Sequence, residues 1–149
     1  MRETLFIPVR WILAGLLLHL SFIGHAGADD LVIVINAANL VTELTPAQIS
    51  DLYLGRSRTF PDGSHAKVVE QLRESPLRQQ FFQKINGMTL NQVNTYWARL
   101  TFTGRVLPPE SKNNNHEVVQ TVLSNPNAIG YISRSDLTPS IRAVLILNE

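Results

Sequence analysis

The residues best suited to chemistry in this sequence lie together in one short segment, residues 73–78. Arg73, Ser75 and Arg78 follow a predicted strand and open a predicted helix. Free backbone N–H groups at a helix start, together with the positive end of the helix dipole, favour anions. A serine hydroxyl can donate to such an anion, and an arginine can pair with phosphate oxygens in a fork. We therefore predict an oxyanion site formed by Ser75, Leu77, Arg78 and Arg73. The alternative is that Ser75 only caps the helix and that both arginines are solvated.

Residues for catalysis are scarce. The chain has no cysteine, which excludes thiol chemistry and disulfides. His65 and His116 have no second histidine or carboxylate at metal-binding spacing, so we interpret both as exposed side chains. Nucleophile elbows, phosphate-loop lysine motifs and paired carboxylates do not occur in the sequence. We predict that the protein is not an enzyme and that it has no catalytic residue, no metal and no cofactor.

The first 28 residues have the pattern of a signal peptide. They combine a basic start, an apolar run over residues 11–23 and a small-residue cleavage site, with the landmarks Arg2, Arg10 and Ala26-Gly27-Ala28. The apolar run is shorter than the ~20 residues of a membrane span, so cleavage is favoured over anchoring. We predict that residues 1–28 are removed and that residues 29–149 form one domain, soluble in the periplasm and not embedded in the membrane.

The overall charge gives no sign of a nucleic-acid partner. Lysine and arginine number 13 and aspartate and glutamate 12, without the basic excess or stripe that such proteins show. We predict no nucleic-acid binding.

Four strands and four helices are predicted, in the order β-α-β-α-α-α-β-β. The apolar run at residues 31–35 is typical of a strand that helices cover on both sides. Further strands are predicted at residues 67–71, 128–132 and 143–147, and helices are predicted to start at Thr45, Ser75, Thr89 and Asn114. Residues 103–114 are predicted to be a polar loop, and the aromatic residues Tyr96, Trp97 and Phe102 to be core. The fold class is α/β, with a mixed sheet and helices on both faces.

A series of short motifs runs through the chain after residue 31. It comprises Val32-Ile33-Val34-Ile35-Asn36, Leu44-Thr45-Pro46-Ala47-Gln48-Ile49, Tyr53-Leu54-Gly55-Arg56, Phe60-Pro61-Asp62-Gly63, Ser75-Pro76-Leu77-Arg78, Tyr96-Trp97, Phe102-Thr103-Gly104-Arg105 and Ala128-Ile129-Gly130-Tyr131-Ile132. In this order the motifs resemble the periplasmic phosphate-binding proteins of ABC-type uptake systems, which have the type II solute-binding fold. The resemblance implies a single lobe of that two-lobed fold, and it places Ser75 on the family's phosphate loop.

Two functions follow from the resemblance. The first is an exported solute-binding protein that holds phosphate or another oxyanion weakly. The family's loop reads Ser-Gly-Thr, whereas this chain has Pro76, which removes a backbone donor, and Leu77, which removes a hydroxyl. The second is therefore a periplasmic interaction protein that has lost ligand binding and docks on a partner, either a membrane transporter or another periplasmic protein.

Overall fold

Five strands and four helices form the part of the chain that the computed structural model describes, residues 30–104 and 106–148. The strands are β1 Leu31–Asn36, β2 Lys67–Gln71, β3 Glu110–Lys112, β4 Ala128–Ser133 and β5 Ile141–Leu147. The helices are α1 Pro46–Tyr53, α2 Pro76–Asn86, α3 Leu90–Phe102 and α4 Asn115–Ser124. The signal peptide predicted for residues 1–28 and the motif residue Arg105 lie outside the described residues.

The helices begin where their local capping signals predict. At α1 the hydroxyl of Thr45 accepts from the backbone N–H of Gln48, and the Gln48 side chain accepts from the Thr45 N–H in return. Thr89 starts α3 with the same reciprocal pair, and the Asn114 side chain accepts from the Glu117 N–H at the start of α4. These bonds satisfy N–H groups that the helices themselves cannot pair, which is why the signals can be recognised in the sequence.

The strands form one mixed sheet in the order β3-β2-β4-β1-β5. β2 is parallel to both β3 and β4, whereas β1 is antiparallel to β4 and β5. β3 corrects the prediction of an uninterrupted loop over residues 103–114. It is a short edge strand of exposed and half-buried residues, held by backbone pairing with β2 through Val69 and Glu110. Such a strand needs no apolar pattern, so the sequence carries no signal for it.

Helices cover both faces of the sheet, as predicted. On one face Ile33 and Ile35 of β1 share a buried cluster with residues of α1, α2 and α3, including Ile49, Phe81 and Trp97. On the other face Val32 and Val34 pack with Val118, Val119 and Val122 of α4. The alternate side chains of β1 therefore enter two different clusters, which explains its continuous apolar sequence.

Phe102 corrects one core prediction. Trp97 is buried and Tyr96 is half-buried, but Phe102 is 94% exposed. It follows Trp97 by five residues, which turns it by about 140° from the buried face of a helix with 3.6 residues per turn.

Gly130 provides a test of how α4 packs on the sheet. A Cβ atom at this position of β4 would lie 2.4 Å from Cγ1 of Val118. We expect Gly130→Ala to lower the free energy of unfolding by about 1–3 kcal/mol, because the clash forces α4 to shift. Urea denaturation measures the change. Adding Val118→Ala removes the clashing methyl group, so the double variant should be more stable than the sum of the two single effects; strict additivity would contradict this packing.

Candidate functional site

A groove of about 400 Å³ lies where β2 and β4 end. Gln71 is the last residue of β2 and Ser133 the last of β4, and both line it. The remaining lining comes mainly from the starts of α2 and α4, namely Ser75, Pro76, Leu77, Asn113, Asn114 and Asn115. In open α/β sheets ligands bind outside the carboxyl ends of parallel strands. We call this feature the strand-end groove.

Ser75 starts α2 without capping it. Its backbone is extended, and its side chain makes no cap hydrogen bond, unlike those of Thr45, Thr89 and Asn114. The first intrahelical bond of α2 runs from the Gln79 N–H to the Ser75 carbonyl. The amides of Leu77 and Arg78 precede that bond, so the helix offers them no acceptor. The Ser75 hydroxyl and these amides are therefore donors at the edge of the groove, and the alternative of Ser75 as a capping side chain does not describe this helix start.

The wall of the groove beside Gln71 is a network of neutral amides. Nε2 of Gln71 donates to Oδ1 of Asn115 at 2.7 Å and to the Tyr131 carbonyl at 3.1 Å. Nδ2 of Asn115 then donates to a carboxylate oxygen of Asp136. The side chains lining the groove are uncharged, so the positive dipole ends of α2 and α4 supply its local field.

Arg73 and Arg78 line a different groove. This second groove has a volume of about 490 Å³ and also includes Glu70, Asn94 and Trp97. The structure therefore places Ser75 and Leu77 on the strand-end groove and both arginines on the second one. A contribution of the arginines to an oxyanion site stays a prediction.

The guanidinium of Arg78 is buried among protein partners. The residue is 3% exposed, and its Nε lies 3.2 Å from Oε2 of Glu70, forming an ion pair. Its Nη1 donates to the Arg73 carbonyl at 3.1 Å and to Oδ1 of Asn94 at 3.0 Å. The guanidinium carbon lies 5.1 Å from the centre of the Phe82 ring. Arg78 thus connects β2, α2 and α3.

Sequence reasoning missed Glu70. Its side chain is 4% exposed, and burial raises its pKa from 4.5 to about 7, although the charge of Arg78 acts in the opposite direction. A signal for the pair was present: Arg78 precedes Phe81 and Phe82 by three and four residues, which puts it on the buried face of α2. A carboxylate in a buried strand is the partner that such an arginine requires.

The described residues show neither a metal cluster nor a membrane span. His65 and His116 are exposed, and no group of three potential ligands among histidine, aspartate and glutamate comes together within residues 30–104 and 106–148. None of the helices in these ranges is both long and apolar enough to cross a bilayer.

Comparisons with known proteins bear on the fold. No protein-family model and no curated protein sequence matches the chain. Among solved structures, a proposed phosphate ABC transporter substrate-binding protein of Clostridium perfringens, solved with bound phosphate, matches 79% of this chain with a TM-score of 0.65 and 23% identity. An ABC-type phosphate transport receptor of Vibrio cholerae matches 78% with a TM-score of 0.62 and 25% identity. PstS of Borrelia burgdorferi matches 82% with a TM-score of 0.57 and 14% identity.

These matches confirm the predicted fold class. The described residues have the mixed α/β fold found in substrate-binding proteins of phosphate ABC transporters. The match covers 45% of the Clostridium perfringens and Vibrio cholerae chains and 47% of the Borrelia burgdorferi chain, so this chain spans about half the length of these neighbours.

Proposed function

We propose that this chain is an exported solute-binding protein whose strand-end groove holds phosphate or another small oxyanion weakly. The observation that carries the proposal is the start of α2, where the Ser75 hydroxyl makes no cap bond and faces a groove at the ends of parallel strands. Support from the fold comes from neighbours that are described as phosphate-transport proteins, one of them with phosphate bound. Export rests on the signal-peptide pattern of residues 1–28.

The expected affinity is low. A helix dipole stabilises an anion at an exposed terminus by ~0.3–1 kcal/mol, and a hydrogen bond to a charged group adds ~1.5–3 kcal/mol. Two helix starts and two or three donors fall short of the ~8 kcal/mol of micromolar binding once the entropy of association is subtracted. A groove on one side of an anion also leaves much of that anion in water, unlike sites that enclose ~70–90% of the ligand. We expect millimolar dissociation constants.

Amide NMR titration with phosphate tests the proposal. We expect saturable shifts at the amides of Leu77 and Arg78 and at Asn115, with sulfate giving a similar pattern. Ser75→Ala should weaken binding several-fold, because it removes one donor. Arg73→Ala tests the predicted arginine contribution, and Arg99→Ala, which removes an exposed charge from α3, is its matched control. Linear shifts without saturation, or binding that Ser75→Ala leaves unchanged, would exclude the strand-end groove as the site.

A second function, docking on a membrane transporter or a periplasmic partner, is favoured by a different observation. Phe102 and Leu107 are 94% and 80% exposed, and both lie at the grooves beside Trp97. Side chains of this size and exposure are typical of interaction surfaces when they border a groove.

A further inference from the structure

Two grooves meet beside α3, away from the start of α2. One is the second groove described above, and the other has a volume of about 570 Å³. Both are lined by Trp97, Pro108 and Pro109, and Phe102 borders one while Leu107 borders the other. We call this continuous surface the Trp97 surface. Its length and its apolar walls fit an extended chain better than a compact solute.

The Trp97 surface contains two buried polar atoms without a hydrogen-bond partner among the described residues. They are Oε1 of Glu70 and Nε1 of Trp97, whose residues are 4% and 6% exposed. A carboxylate oxygen accepts and an indole N–H donates, so the two atoms are complementary to a group that offers one N–H and one C=O. A peptide bond is such a group. Buried polar atoms are nearly always paired in native proteins, so an unpaired acceptor and an unpaired donor in one groove point to a ligand.

Charges on the surface restrict the ligand further. Arg58 lines one groove and Arg73 the other, and both side chains are exposed. Arg58 forms no ion pair within the described residues, and the separation between Arg73 and Glu74 is a long 3.8 Å. An exposed cation near each end favours a ligand with acidic groups flanking an apolar centre.

The neighbouring edge of the sheet also suits a peptide. β3 is the terminal strand of the sheet, and its residues Glu110 and Ser111 line the two grooves. Extended peptides bind by adding main-chain hydrogen bonds to such an edge while side chains enter adjacent pockets.

We propose that the Trp97 surface binds an extended acidic peptide segment of a partner protein, with an apolar side chain held between Phe102, Leu107 and Pro108. A main-chain amide of the peptide accepts from Nε1 of Trp97 and donates to Oε1 of Glu70. This site is separate from the strand-end groove and does not depend on anion binding there.

The test uses the indole N–H resonance of Trp97 in the full chain, assigned with Trp97→Phe. The probe is a synthetic blocked peptide with acidic residues on both sides of a leucine-valine pair. We expect a saturable shift of the Trp97 resonance, and Phe102→Ala should weaken binding about tenfold, as removal of an anchoring aromatic does. Leu40→Ala, which truncates an exposed leucine elsewhere, is the matched control and should leave binding unchanged.

Charge and self-association provide the remaining arms. A peptide with lysine in place of each acidic residue should bind at least tenfold more weakly, and Arg58→Glu should weaken binding of the acidic peptide. The proposal is overturned by an unshifted Trp97 resonance, by equal binding of the basic peptide, or by a Trp97 shift that depends on protein concentration alone and accompanies dimer formation. In the last case a second copy occupies the surface.

Discussion

Replacing Arg78 with alanine should lower the free energy of unfolding by about 3–5 kcal/mol at neutral pH. The substitution leaves the carboxylate of Glu70 buried without its ion-pair partner, and it removes the hydrogen bonds to Asn94 and to the Arg73 carbonyl. Urea denaturation followed by circular dichroism measures the loss. The midpoint should fall while the denaturant slope stays unchanged.

Two controls separate the buried pair from a general effect of charge. Arg73→Ala removes an exposed arginine from the same segment and should change stability by less than about 0.5 kcal/mol. Replacing both members of the pair, with Glu70→Leu and Arg78→Met, should restore most of the stability, because apolar side chains of similar volume carry no desolvation penalty. Native stability in Arg78→Ala would show that the guanidinium does not support the fold.

Arg78 also shows where sequence reasoning reached its limit. The residue was recognised as important because it follows Ser75 at a helix start, and that local pattern suggested an anion ligand. The direction of its side chain depends on how β2 lies against α2 and α3, because Glu70 and Asn94 come from those separate elements. No spacing within residues 73–78 contains that information.

The elements themselves could be predicted more fully than the site. Thr45, Thr89 and Asn114 mark helix starts because each caps its own helix within three residues. The burial of β1 follows from its apolar run. β3 could not be predicted, because its pairing partner lies in β2, some forty residues earlier in the chain, and its own side chains are polar.

The strand-end groove was half visible in the sequence. Ser75 and Leu77 were predicted from the start of α2, but Gln71, Asn115 and Ser133 were not, since each is brought to the groove by the parallel arrangement of β2 and β4. A polar residue at the end of each parallel strand is the signal that would have found Gln71 and Ser133.

The second large effect concerns pH. Burial raises the pKa of Glu70 from 4.5 to about 7 in the folded protein. The folded state therefore binds a proton more tightly than the unfolded state does, and the stability that Glu70 contributes is complete below pH 4.5 and is lost as the pH rises through about 7. At ~1.4 kcal/mol per pKa unit the loss is about 3 kcal/mol. We expect Glu70→Gln, which cannot ionise, to lack this loss.

The measurement is the difference in unfolding free energy between Glu70→Gln and the native chain as a function of pH. The difference cancels the contributions of Asp62, Glu110 and Glu117, whose pKa values are lowered by hydrogen bonds and which therefore favour folding as the pH rises. We expect the variant to gain stability relative to the native chain between pH 4.5 and about 7, the two pKa values of Glu70. In the same window the cost of Arg78→Ala should grow, because the stranded carboxyl has to ionise or hold its proton against solvent. Parallel profiles for Glu70→Gln and the native chain would mean that Glu70 keeps an ordinary pKa, and hence that the ion pair with Arg78 outweighs burial.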